Sequence, residues 1–318
     1  MIPSLLIITG PTAVGKTDIV LRLAQTIPSE IINADSGQMY TPLSIGTAKP
    51  DWRNEPVPHH LFDLSNEPAN FSVTDFRERV VGLITKIHDR GRLPILVGGS
   101  AFYIQSLFFP PSKNVATPIS VEKGDFSWER LNEIDPERAK KIHKNDHYRI
   151  ERALTLWEET GTLPSELVPV YKPLVPFHCL FLTRERDDLY QRIDQRVFQM
   201  IEEGWIEEVA SLRSTSWESF LKKKKIIGYD IILEYLNKGI AESKKDELIE
   251  KIQKKTRNYA KRQMIFFKML AKKFEEVSSQ KVDLNEAKVD WVNLTLAPVD
   301  LYIKQLLQVF AFELTGQQ

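Results

Sequence analysis

The run Leu5-Leu6-Ile7-Ile8-Thr9 passes at once into Gly10-Pro11-Thr12-Ala13-Val14-Gly15-Lys16-Thr17. A short, wholly apolar run is the mark of a strand buried on both faces. The residues after it predict an amphipathic helix, with Ile19, Leu21, Leu23 and Ala24 as inward candidates. The turn between them meets the spacing G-x-x-x-x-G-K-[ST] at Gly10, Gly15, Lys16 and Thr17. Each residue type there has a physical task. Glycines let the backbone bend around an anion. Loop N–H groups and the helix N-terminus point at phosphate oxygens. Lys16 adds a mobile cation, and Thr17 a hydroxyl for Mg²⁺. A glycine-rich turn that binds nothing is the other reading, but a chance match in a chain of this length is on the order of one in a hundred. The strand-before, helix-after context points to phosphate, without saying whether the phosphate belongs to a nucleotide.

Such a motif demands an open α/β sheet, and further segments supply strands for it. Glu30-Ile31-Ile32-Asn33-Ala34 reads as a second strand ending at Asp35, followed by the polar turn Ser36-Gly37-Gln38-Met39-Tyr40. Carboxyl ends of strands line the ligand crevice of such sheets, so Asp35 faces the same site as the loop. A carboxylate there holds a metal, serves as a general base, or merely caps a turn. Leu93 to Ser100 is another apolar strand, ending in two glycines and a hydroxyl, and Ala101 starts a helix. A helix is also expected from Ser72 as N-cap, with Asp75 in its first turn, to about His88, stopping near Gly91. Lys49, in the loop Ile45-Gly46-Thr47-Ala48-Lys49-Pro50, is a phosphate contact, a backbone contact or simply solvated. His59-His60 has a metal-like look, but adjacent histidines on a strand face opposite ways. No spaced partner completes a zinc site, so the pair reads as structural or as loop packing.

Composition closes off several classes. Lys+Arg and Asp+Glu are both 43 of 318 residues, so any nucleic-acid partner must be met by local basic patches. One cysteine, Cys179 in an apolar run, rules out a disulfide framework and a cysteine metal cluster. No stretch approaches a membrane span, and the start does not have a signal-peptide layout. The expectation is a cytoplasmic, soluble, monomeric protein. Residues 1–112 read as the first part of a P-loop core, 113–173 as a helical insertion and 174–318 as the rest of the core. Pro110 to Asn114 reads as a linker, and Ser127 to about Leu163 as helical, carrying Arg138, Lys140, Lys141, Lys144, His147, Arg149 and Arg152. That charge suits a solvated face or a clamp on nucleic acid. Phe177 to Leu182 resumes the sheet, and Arg184, Arg186, Arg192 and Arg196 follow, suited to clamp an anion. A basic helix from about Lys244 to Lys272 interleaves aromatic residues, which fits RNA backbone and stacked bases as well as an ordinary amphipathic helix. The last part reads as a packing strand and a closing helix.

The P-loop, Asn33-Ala34-Asp35-Ser36-Gly37-Gln38-Met39-Tyr40, Ile45 to Pro50, Val97-Gly98-Gly99-Ser100, Asn145 to Leu154, Arg192 to Met200, Ile227-Gly228-Tyr229 and Thr256 to Gln263 together resemble the tRNA dimethylallyltransferases. The resemblance runs in order from Leu5 to about Phe267. It implies a P-loop NTPase-like, mostly parallel sheet flanked by helices, with a helical insertion. It implies transfer of a dimethylallyl group from its diphosphate to the exocyclic amine of an adenosine beside the anticodon. Gly10, Pro11, Thr12, Ala13, Val14, Gly15, Lys16 and Thr17 would then hold the diphosphate. Thr17 would place Mg²⁺, Arg196 would clamp the leaving group, and Asp35 would take the amine's proton. Asp35, Ser36, Gly37, Gln38 and Ser100 would meet tRNA, with Arg257 and Arg262 on the backbone of the anticodon stem-loop. The segment from Gly99 to Asp135 is shorter than the family pattern, and Ser100 stands where threonine is usual. Two alternatives use the same loop: an ATP-binding small-molecule kinase, and an adenylate isopentenyltransferase that needs no tRNA grip.

Overall fold

The computed structural model describes residues 5–110, 126–167, 170–239, 244–278, 287–297, 299–304 and 306–307. Most of the expected linker, and the start of the expected insertion, lie outside these residues. The elements run β1 (Leu5–Thr9), α1 (Lys16–Ala24), β2 (Ser29–Asn33), β3 (His59–His60), α2 (Val73–Asp89), β4 (Leu93–Gly98) and α3 (Ala101–Phe108). Then come α4 (Trp128–Ile134), α5 (Pro136–Ala139), α6 (His147–Thr160), β5 (Phe177–Thr183) and α7 (Arg186–Glu202). The chain continues through α8 (Trp205–Ser211), α9 (Ser216–Lys224), α10 (Tyr229–Asn237), α11 (Lys245–Ser278) and β6 (Ala287–Asn293). Residues 299–304 and 306–307 are helical.

The chain forms two compact units, one of Met1–Gln105 with Leu174–Gln318 and one of Ser106–Pro173. The first is built on a six-stranded sheet in the order β3-β2-β4-β1-β5-β6, with every pairing parallel. Every residue of β1 and β2 is buried, as a parallel strand covered on both faces requires. Parallel order also aligns the strand ends, so the segments after β1, β2 and β4 emerge side by side. Gly98 is fixed by that closeness, since a Cβ there would lie 2.2 Å from the Ala34 backbone. Ser72 caps α2 in a reciprocal box with Asp75, and Gly91 turns the chain away at φ +67°. Helices α7 to α11 pack a second core in this unit around Trp205, Val209, Tyr229 and Leu233.

The smaller unit is helical across the described part of the stretch read as helical. Leu131, Ala139, Ile142, Ile150, Ala153 and Leu154 form its core. Buried Asp135 caps α5 through Arg138 N and also accepts from Ser165 N, at 2.9 and 2.7 Å. Most of its basic residues are turned to solvent, with Lys144 over the Trp128 ring at 4.8 Å.

The histidine pair is the edge strand β3. His60 Nε2 lies 2.7 Å from Glu30 Oε2, and Arg90 grips the same buried carboxylate with two hydrogen bonds of 2.7 Å. No group of three or more His, Cys, Asp or Glu among the described residues is placed to hold a metal. No helix among them is long and apolar enough to cross a membrane.

Candidate functional site

The site grows from the loop between β1 and α1. Gly10 is required where it stands, because a Cβ would lie 2.5 Å from Leu182 O on β5. Gly15 adopts φ +109°, and Ala13 is also left-handed at +61°. Four of the loop carbonyls are tied down by cations. Lys16 Nζ donates to Gly10 O at 3.0 Å and Pro11 O at 2.9 Å. Arg192 Nε donates to Ala13 O at 3.0 Å, and Arg184 Nε to Val14 O at 2.9 Å. The N–H of a peptide points opposite to its C=O, so holding the carbonyls on one side turns N–H groups to the other. The N–H groups of Gly15, Lys16 and Thr17, at the start of α1, have no protein partner among the described residues. This is an anion cradle with the positive end of a helix behind it.

Three charged side chains meet over it. Burial pushes the Lys16 ammonium down to about 8, against the pull of Asp35, and Arg196 adds to the fall. Burial raises Asp35 above the usual carboxylate range, although Lys16, the Gly37 N–H and Arg196 all oppose it. Burial lowers the Arg196 guanidinium, with Asp35 working against the shift. Two cations against one carboxylate leave the cluster short of negative charge. Neither Arg196 nor the second oxygen of Asp35 has a hydrogen-bonding protein partner among the described residues.

Asp35 owes its position to the end of β2. Its N–H donates to Asn33 Oδ1 at 2.9 Å, and Asn33 Nδ2 reaches Asp35 O and Leu61 O. Asp35 Oδ1 accepts from Gly37 N at 3.1 Å, capping a single 3₁₀ turn over Ser36–Met39. Ser36 N donates to Ser100 Oγ at 3.0 Å, which joins this turn to the double-glycine turn after β4. Gln38 Nε2 donates to Thr47 O and Ala48 O, at 3.0 and 3.2 Å.

The loop that receives Gln38 is held from α8. Glu208 accepts from the N–H groups of Ser44, Ile45 and Gly46, and from the Tyr229 hydroxyl at 2.6 Å. Trp205 fills the space beside Gly46 and Gly228, where a Cβ on either would come within 2.0 Å of its ring. The Ile45–Pro50 and Ile227–Tyr229 segments are thus two walls around one indole. Gln263 of α11 completes the frame. Its Oε1 accepts from Thr12 N at 2.9 Å and its Nε2 donates to Gly99 O at 2.8 Å.

The structure therefore joins Gly10 to Thr17, Asp35 to Gln38, Ser100 and Arg196 at one sheet edge. Thr17 is exposed in the first turn of α1, its hydroxyl without a protein partner among the described residues. Arg257 is paired with Asp194 on α7, and Arg262 is exposed over the Tyr259 ring at 5.9 Å. Lys49 is a backbone contact, donating to Tyr40 O and Thr41 O beside buried Asp63, away from the loop's N–H groups. Of the four arginines after β5, Arg184 and Arg192 brace the loop from behind, Arg186 is exposed over the Tyr190 ring at 5.2 Å, and Arg196 remains for an anion. Glu208 and Gln263 are the framework residues that the sequence reading did not single out. The loops they hold lie 162 or more positions away, so their own neighbours do not show what they support.

A profile of the family described as IPP transferase matches residues 38–270. The chain belongs to the IPP transferase family. A relative from Geobacter sulfurreducens, named tRNA dimethylallyltransferase, is 40% identical over 278 residues, covering 83% of this chain and 88% of its own. One of the same name from Petrotoga mobilis is 35% identical over 317 residues, 96% of this chain and 98% of its own. The crystal structure of a tRNA isopentenylpyrophosphate transferase from Bacillus halodurans is 33% identical, with a TM-score of 0.65, covering 98% of this chain and 97% of that one. A eukaryotic dimethylallyltransferase crystallised acting on tRNA is 26% identical, with a TM-score of 0.76, covering 99% of this chain and 80% of that one. The IPP transferase match takes in the Asp35 turn from Gln38 onward, the walls around Trp205, and α11 to Leu270.

Proposed function

We propose that this chain transfers a dimethylallyl group from dimethylallyl diphosphate to the N6 amine of the adenosine adjacent to the anticodon in tRNA. The observation that carries the reading is the juxtaposition, within a family member, of an anion cradle and an open carboxylate oxygen on Asp35. The diphosphate lies along the N–H groups of Gly15, Lys16 and Thr17, with Arg196 on its outer oxygens. The amine nitrogen bonds to the first carbon of the dimethylallyl group. The carbon–oxygen bond to diphosphate breaks, and its electron pair leaves with the phosphate. The amine's proton passes to Asp35. An adenine amine is a weak base, so a carboxylate raised above its ordinary range by burial is suited to take that proton as the bond forms. Lys16 and Arg196 stabilise the charge that builds on the leaving group.

The residues fit Mg²⁺ as a partner of the substrate. Thr17 offers one free hydroxyl and no carboxylate cage is present among the described residues, which suits an ion that keeps its waters and binds through substrate phosphates. When bound, Mg²⁺ supplies charge neutralisation on the departing diphosphate. The target base leaves its stack to reach the Asp35 turn. Ser36, Gly37, Gln38 and Ser100 line that turn, and Arg262 with the basic face of α11 meets the RNA backbone. A single buried cysteine suits a cytoplasmic enzyme, and we take the chain to act as a monomer. The test is transfer of labelled dimethylallyl from its diphosphate to unmodified tRNA, with AMP and ATP as parallel acceptors. Label in tRNA alone is the expected result; label in free nucleotide, or phosphoryl transfer from ATP, overturns it.

A further inference from the structure

Gln263 is 5% exposed and lies 251 residues from the P-loop residue it holds. Its orientation is unambiguous, because the Thr12 N–H can only donate and the Gly99 carbonyl can only accept. Gly99 has to be glycine for the amide to enter: a Cβ there would stand 2.6 Å from Gln263 Nε2. That same point is 3.6 Å from Gly10 O and 3.7 Å from Lys16 Nζ. The amide therefore sits at the leading end of the cradle, beside the loop's own lysine.

A P-loop holds a polyphosphate by a row of backbone N–H groups, so an N–H already occupied by the protein is lost to the phosphates. Here the row is divided. The N–H groups of Gly15, Lys16 and Thr17 are open, while that of Thr12 is taken by a neutral side chain. A third phosphate extending towards Thr12 would meet a buried amide whose oxygen is already used and which brings no charge.

We infer that Gln263 sets the length of the phosphate chain: by closing the Thr12 N–H it makes the loop a two-phosphate site and shuts out a nucleoside triphosphate. This rests on the diphosphate reading above and names the residue that enforces it. The experiment is titration calorimetry of inorganic pyrophosphate and tripolyphosphate, in Mg²⁺, against the full chain, Gln263→Ala and Gln263→Glu. The unaltered chain should prefer pyrophosphate by about tenfold or more, and Gln263→Ala should bring the two within about twofold, chiefly by tightening tripolyphosphate. Gln263→Glu keeps the shape and the acceptor for Thr12 but adds charge, so it should weaken tripolyphosphate about tenfold more than pyrophosphate. It carries the test if the alanine variant does not fold. A purely structural role would weaken both ligands alike, so an unchanged preference in the folded variants overturns the inference while leaving the diphosphate site intact. Failure of the unaltered chain to bind pyrophosphate overturns the diphosphate reading itself, and this inference with it.

Discussion

Lys16 gives the site a titration of its own. With the ammonium pushed down to about 8 by burial, the free protein loses the proton as pH rises from 7 to 9. About nine-tenths of the molecules carry the charge at pH 7, and about one-tenth at pH 9. Pyrophosphate affinity should therefore fall through this window and level off once the contact is gone. Losing one charge-assisted ammonium–phosphate interaction sets the depth of the fall at about tenfold to a hundredfold. Burial drives Tyr259 upward and away from this range, and burial raises Asp35 in both of the proteins compared below. The assay is calorimetric titration of pyrophosphate from pH 6.5 to 10, compared with Lys16→Arg. The ligand's own ionisation is common to both proteins, so the difference between the two curves isolates Lys16. Arginine stays charged across the range and should remove the fall. Stability changes in the opposite sense. The unfolded chain binds the proton more tightly between about 8 and 10.5, so Lys16 makes folding more favourable as pH rises there. Identical curves for the two proteins would refute the placement of Lys16 on the anion.

Three other perturbations reach different parts of the frame. Glu208→Gln loosens the loop that receives Gln38; it should cost about 1–3 kcal/mol in urea denaturation and raise KM for tRNA, with pyrophosphate affinity unchanged. Gly228→Ala places a methyl 2.0 Å from the Trp205 ring at φ +84°, so denaturation should show a loss of about 3 kcal/mol or more. Thr17→Ala should raise the Mg²⁺ concentration needed for half-maximal transfer, while tRNA affinity measured by filter binding stays the same.

What the sequence made legible was local. The strand–loop–helix at Leu5–Ala24, the Ser72 cap and the glycine-ended strand at Leu93–Gly98 are each written in adjacent residues. The all-parallel sheet follows, because strands separated by helices leave little choice. The two-residue strand β3 was not legible, since it exists only through its pairing with β2 and the Glu30–His60 contact. Charge was the hardest signal to divide. Lys49, Arg184, Arg192 and Arg257 all look like anion ligands in sequence. In the fold each is occupied by a carbonyl or a carboxylate, near in sequence for Lys49 and far along the chain for the three arginines. Arg196 has no such partner among the described residues, and only packing distinguishes it from its neighbours. The site's outline was thus readable from its glycines, while its supports, Glu208 and Gln263, depend on contacts no spacing encodes.

The measurement that bears most directly on the central claim is single-turnover dimethylallyl transfer to an anticodon stem-loop RNA by Asp35→Asn. The exchange removes the proton acceptor while keeping the shape of the side chain and a cap for Gly37 N. The transfer rate should drop by about a hundredfold to ten-thousandfold, the usual worth of a placed general base. Affinities for the RNA and for pyrophosphate should stay within a few-fold. A transfer rate equal to that of the unaltered chain, with both ligands bound normally, would contradict the role of Asp35.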